Sequence, residues 1–265
     1  MIVPVSPWWT VAPALGAAAG YAALAAGAAR LSRSAVAWLT LATVLLHGLA
    51  LAAAFSVTPV RFGFALTLSV TAWLVLAVYA VETRLYPQLG TRWTLAGLGV
   101  PAVLLALIFP GTAYPALASP WLPLHWALGF ASYGLVGAAV AHGWMMQRTE
   151  QAIRRGRGQP TALPLLALER LTFRFVTGAF VLLTLTLLAG WYFTELLQPT
   201  AGWITHKTVF TALSWAVLAV LLWGRWRWGW RGRLAVRMLY AAGGLLLLGY
   251  VGSHFVLEVI LRRGG

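Results

Sequence analysis

Apolar residues fill long, nearly unbroken runs along this chain, and short polar gaps rich in arginine separate them. Stretches such as "LATVLLHGLALAAAF" (Leu41–Phe55) are long enough to contribute to a helix that crosses the hydrocarbon core of a bilayer. A sheet or open loop could not satisfy its backbone groups in lipid, so the spans are expected to be helical. The pattern predicts about eight of them, at roughly 9–29, 35–55, 63–81, 94–109, 123–146, 173–194, 205–224 and 236–261. The fourth is short and contains Pro101, which would either kink it or mark its first turn. No internal repeat is visible, and the chain is expected to form one all-α membrane domain over residues 1–265.

Composition sharpens this reading. Of 265 residues, 61% are hydrophobic and 9% are charged, against about 25% charged in soluble domains. The net charge of +14 would suit nucleic acid if it formed a continuous basic patch. Instead the arginines sit in the gaps, which is what the positive-inside rule produces, and nucleic acid is not expected as a partner. Of the 19 basic residues, 15 fall in the gaps after spans 1, 3, 5 and 7 or at the first two residues of the span that follows. Both termini are therefore expected outside, in a multi-pass inner (plasma) membrane protein. The segment from Gln147 to Pro164 reads as a flexible basic cytoplasmic loop that touches anionic lipid headgroups. Tryptophans such as Trp8, Trp121 and Trp203 at one boundary, and Trp223, Trp226 and Trp228 at the other, read as interfacial belts. The N-terminus lacks the positive charges of a signal peptide, so the first apolar run is read as a retained helix.

The absent residue types exclude several chemistries. Without cysteine there is no thiol nucleophile, disulfide or iron–sulfur cluster. Without aspartate a carboxylate cage for calcium or magnesium is not expected. No His-Glu-x-x-His zinc signature, phosphate loop or supported serine–histidine–acid set is present.

The histidines remain. His47 in span 2 and His254 in span 8 should both lie roughly 10–12 Å below the outer surface, from a rise of about 1.5 Å per residue. His125 opens span 5 and His206 opens span 7, while His142 lies at the inner end. An ionisable side chain inside a bilayer is expected to face the bundle or a cavity. His47 and His254 are thus candidates for metal ligation, or they simply hydrogen-bond across helices. Glu258 follows His254 by four positions and would share its face in an α-helix. It could orient that imidazole, pair with Lys207 or Arg61, or reach water at the interface. Histidines spread over several helices in an aromatic, apolar bundle suit a large flat cofactor, and haem fits that description.

Several stretches resemble the cytochrome c assembly superfamily of haem-handling membrane proteins, most nearly its YpjD-type branch. "LLHGLALAAAF" (Leu45–Phe55), "LPLHWALGFASYGL" (Leu122–Leu135), "HKTVFTALSWAVLAVLLWGRWRWGWRGRLA" (His206–Ala235) and "LGYVGSHFVLE" (Leu248–Glu258) carry the likeness, in order, and "GWRGR" (Gly229–Arg233) is its most specific piece. The resemblance implies a b-type, non-covalently held haem. It also implies a role beside apocytochrome c or other cytochrome c maturation proteins. His47 and His125 match family positions, while His206 and His254 follow from depth alone. The family's tryptophan-rich haem loop is reduced to "TAGWITHKT" (Thr200–Thr208), with Trp203 its only echo and no aspartate. Haem handling without full haem-lyase activity is therefore expected. The cofactor-binding candidates are His47, His125, His206, His254, Trp203, Glu258 and Lys207, with His47 and His254 as iron ligands. Two other readings stay open. One is a haem-free accessory subunit or partner of a membrane transporter that keeps the fold. The other is an electron carrier, which would need two haems although His142 is the only inner histidine.

Overall fold

The structure is a computed structural model that describes residues 8–85, 96–113, 121–156, 165–192 and 205–260. It is built from helices, as the apolar runs require. In chain order they are α1 (Trp8–Gly27), α2 (Arg33–Ser56), α3 (Phe64–Leu85), α4 (Gly99–Ile108), α5 (Trp121–Arg154), α6 (Leu165–Tyr192), α7 (His206–Trp228) and α8 (Gly232–Leu247). Beyond α8 the chain continues as π-helical turns at Leu248–Gly252 and Val256–Ile260, with one α turn between them. Among the described residues, seven helices are long and apolar enough to cross a membrane, counting Gly232–Ile260 as one.

Residue contacts divide the chain into two compact units, Met1–Ala116 with Glu258–Gly265, and Leu117–Leu257. In the first unit α1 packs on α2, and α4 packs on both α1 and α3. Two short strands, β1 (Arg61–Phe62) and β2 (Thr112–Ala113), pair antiparallel with Arg61 opposite Ala113. β1 leads into α3 and β2 follows α4, so α3 starts and α4 finishes at one end of the unit. The ten-residue α4 measures about 15 Å at the usual rise, half a bilayer core. It nonetheless brings the chain back to the end where α3 began. Pro101 sits in its first turn, where a missing N–H costs nothing.

In the second unit α6 packs on α5 and α7, and α8 packs on α7 and α5, closing a ring of four helices. Its core is aliphatic, with Val176, Leu183, Leu218, Leu221, Leu239 and Leu246 all nearly fully buried. The segment expected as a loop from Gln147 differs in its first half. α5 runs on to Arg154, and Arg154 bonds Glu150 one turn back. Such an i,i+4 pair supports a helix beyond the end of its apolar face. α7 begins at a Thr205 cap that accepts from the Thr208 amide, and ends at a left-handed Gly229. Arg225 and Arg231 at that end meet Glu169 of α6. The basic residues and Glu169 thus gather at one end of the four-helix ring, and His125, His206 and His254 lie toward the other.

Candidate functional site

His47 lies in the first unit, where α1, α2 and α3 converge. Its ring is 1% exposed. The Tyr21 hydroxyl meets Nδ1 at 3.1 Å and the Ser69 hydroxyl meets Nε2 at 2.9 Å. A neutral imidazole has one donor and one acceptor nitrogen, so these two hydroxyls satisfy it completely. The Tyr21 ring also packs edge-on against it. For His47 to bind iron, one of these hydroxyls would have to leave.

The second unit is arranged otherwise. The Tyr133 hydroxyl donates to the Leu246 carbonyl at 2.6 Å, which fixes α5 against α8. His125 stands eight residues before Tyr133, and His254 eight residues after Leu246. Because α5 and α8 run in opposite directions, both histidines lie roughly 12 Å from that bond toward the same, arginine-poor end. His125 rests on α6, and a Cβ placed on Gly190 would lie 3.3 Å from its Cε1. The Nδ1 of His125 is buried and has no hydrogen-bond partner among the described residues.

His254 is 6% exposed and stacks on Tyr250, with ring centroids 4.5 Å apart. Its Nε2 lies 2.8 Å from the Lys207 ammonium, which also sits over the Tyr250 ring. An ammonium only donates, so Nε2 carries the lone pair and the proton is on Nδ1. The Thr205 cap places His206 and Lys207 in the first turn of α7. Gly249 lets the π-helical turn after α8 approach it, since a Cβ there would lie 3.1 Å from Phe210 and 3.5 Å from the Lys207 carbonyl. His206 is exposed and close enough to interact electrostatically with His254.

Of the residues singled out in the sequence, the structure brings His206, Lys207 and His254 together and places His125 at the same level of the same unit. Trp203 lies outside the described residues. Glu258 groups with the first unit. Its two carboxylate oxygens would meet a Cβ on Gly63 at 2.7 and 2.8 Å, so they lie at the residue that precedes α3. A carboxylate is favoured at a helix N-terminus. The π-helical turns set this stretch off from α-helical spacing. Wider turns rotate side chains four apart off a common face. Tyr21, Ser69 and Tyr250 escaped the sequence reading. Tyr250 alone carried a signal, standing four residues before His254. Among the described residues, no three His, Cys, Asp or Glu side chains converge to hold a bare metal ion.

The sequence model of the family described as Cytochrome C assembly protein matches residues 29–261. The chain belongs to that family. It is 30% identical over 145 residues to the Inner membrane protein YpjD of Escherichia coli K12, covering 54% of this chain and 54% of the relative. The match to the same protein from Escherichia coli O157:H7 has the same identity and extent. The chain thus spans about half the length of these curated relatives. An uncharacterized 28.8 kDa protein of Azospirillum brasilense is 28% identical over 231 residues, covering 82% of this chain and 84% of its own. No solved structure matches. With its membrane-length helices, this cytochrome c assembly family member is a multi-pass protein of the inner (plasma) membrane.

Proposed function

We propose that the protein handles haem for c-type cytochrome maturation, holding it non-covalently through imidazoles at the arginine-poor end of its second unit. Family membership supports the biological role. The observation that carries the site is the Nδ1 of His125, buried and without a hydrogen-bond partner among the described residues, level with His254. A buried polar atom left without a partner is costly and calls for a missing group. His125 and His254 would take the iron, with His206 at the rim. Lys207 covers the Nε2 of His254, and its ammonium would have to move aside to release that lone pair. His47 joins the set only if Tyr21 or Ser69 yields. Bound haem would supply a ligatable iron and the vinyl groups that cysteines of a partner apocytochrome attack. This chain has no cysteine and would only present the group.

The test is an absorption spectrum of protein purified in mild detergent from haem-replete cells. A Soret band is expected that falls severalfold in His125→Ala and in His254→Ala. It should persist in whatever fraction of His47→Ala folds. Haem-free protein that also fails to take up haem on reconstitution would end this reading.

The saturated His47 favours a second reading, in which the fold serves as a haem-free subunit of a membrane transporter and its histidines act as polar glue. Co-purification with a transport protein, together with unchanged behaviour of His125→Ala, would establish that alternative.

A further inference from the structure

At the arginine-rich end of the second unit, α5 and α8 enclose a polar cleft lined by Gln147, Glu150, Gln151, Arg233 and Arg237. Its geometry is regular. Gln147 and Gln151 are one turn apart on α5, and Arg233 and Arg237 one turn apart on α8, so each pair shares a face. The Tyr240 hydroxyl meets the Gln147 side-chain oxygen at 3.4 Å, which leaves the amide NH₂ of Gln147 as a donor.

The charges nearby are unevenly matched. Arg225 and Arg231 are committed to Glu169. Glu150, the one carboxylate of the cleft, is neutralised by Arg154. Arg148 lies over the Trp144 ring, 4.4 Å from its centroid. Among the described residues, Arg233 and Arg237 have no carboxylate partner. Two guanidinium forks and amide donors therefore face one cleft with no net negative charge of its own.

We infer that this cleft binds the phosphodiester headgroup of an anionic phospholipid, with Arg233 and Arg237 gripping the phosphate and Gln147 and Gln151 holding the outer part of the headgroup. The guanidinium fork matches phosphate oxygens two at a time. Basic pockets between membrane helices on the arginine-rich side are suited to such headgroups. A lipid is favoured over free phosphate because Trp223, Trp226 and Trp228 are exposed at the same end. Exposed tryptophans at helix ends mark the depth of the headgroup layer.

The inference is tested on the full chain in mild detergent, by native mass spectrometry and by thermal shift. The probes are phosphatidylglycerol, phosphatidylcholine and inorganic phosphate. Phosphatidylglycerol should stay bound and raise the melting temperature, and the other two should not. Loss of charge-assisted bonds in R233Q/R237Q should weaken phosphatidylglycerol at least about ten-fold. R148Q, outside the cleft, should bind as wild type does. If R233Q/R237Q does not accumulate, Q147A/Q151A and the fork-removing R233K/R237K are expected to weaken binding severalfold. Equal binding of the cleft variants and wild type would overturn the site. So would phosphatidylcholine binding as tightly as phosphatidylglycerol. Inorganic phosphate competing on equal terms would overturn the assignment to a lipid.

Discussion

His47 in the first unit and His254 in the second are both buried imidazoles on apolar helices, at 1% and 6% exposure. Burial does not separate them, but the account of their nitrogens does. Two neutral hydroxyls close off His47. The Nε2 of His254 is held by a flexible ammonium, and His125, at the same level, keeps a buried Nδ1 without a hydrogen bond among the described residues. A hydroxyl on a packed helix cannot leave its partner without being orphaned itself. A lysine has a long stem and can move its charge elsewhere. The first arrangement behaves as structural glue and the second as a site that can change partners.

The widest gap between the two arrangements is expected in stability. His47→Ala removes the partner of both Tyr21 and Ser69 and leaves two buried hydroxyls unsatisfied. It should cost about 2–4 kcal/mol. His125→Ala breaks no hydrogen bond among the described residues and should cost about 1 kcal/mol or less, from lost packing alone. Thermal unfolding in detergent measures both. If His125→Ala unfolds the protein while His47→Ala leaves it intact, the comparison is reversed.

Gly63 tests a second feature of the first unit, the close seating of Glu258 before α3. A methyl group there would come within 2.8 Å of both carboxylate oxygens and of the Gly111 Cα. The Gly111 carbonyl is itself held by Arg61 at 3.1 Å, so the backbone on that side cannot easily give way. Gly63→Ala should cost about 1–3 kcal/mol by overpacking. Glu258→Ala placed on top of it should recover part of the loss, because it removes the clashing group. No recovery would mean that the backbone contact with Gly111 dominates.

These features differ in how far the sequence reveals them. The apolar runs and the alternation of arginine-rich gaps make the helical membrane fold legible, because every span must satisfy its own backbone in lipid. Pro101 correctly marks the first turn of α4. The extent of α5 beyond Gln147 is less visible, since its last turns rest on the Glu150–Arg154 pair and carry no apolar face. Depth along the helices pairs His47 with His254 and leaves His125 nearer the surface, whereas the Tyr133–Leu246 bond sets His125 level with His254. Depth says nothing about which helix face meets which neighbour, so Tyr21 and Ser69 could not be matched to His47 from the sequence. The position of Glu258 beside Gly63 is illegible for a further reason. The i,i+4 rule assumes α geometry, and the chain from Leu248 onward is largely π-helical.

Lys207 is expected to have the smallest effect on stability and the most informative effect on ligand binding. Its ammonium is half-buried, and its bond to His254 spans two helices. Interhelical polar contacts in membranes average about 0.6 kcal/mol, so Lys207→Met should shift unfolding little. Removing the ammonium leaves the Nε2 of His254 without that donor. Haem affinity, read from a Soret titration, should then rise by up to about ten-fold, the equivalent of one charge-assisted bond no longer broken on binding. Nitrogen NMR of the haem-free protein gives an independent readout. The Nε2 signal of His254 should move in Lys207→Met, and the His47 signals should stay in place. A fall in haem affinity with the same NMR change would assign Lys207 to the bound group's carboxylates and not to guarding the imidazole. No NMR change at His254 would mean that the two side chains do not meet in solution, and the contrast with His47 would then rest on His125 alone.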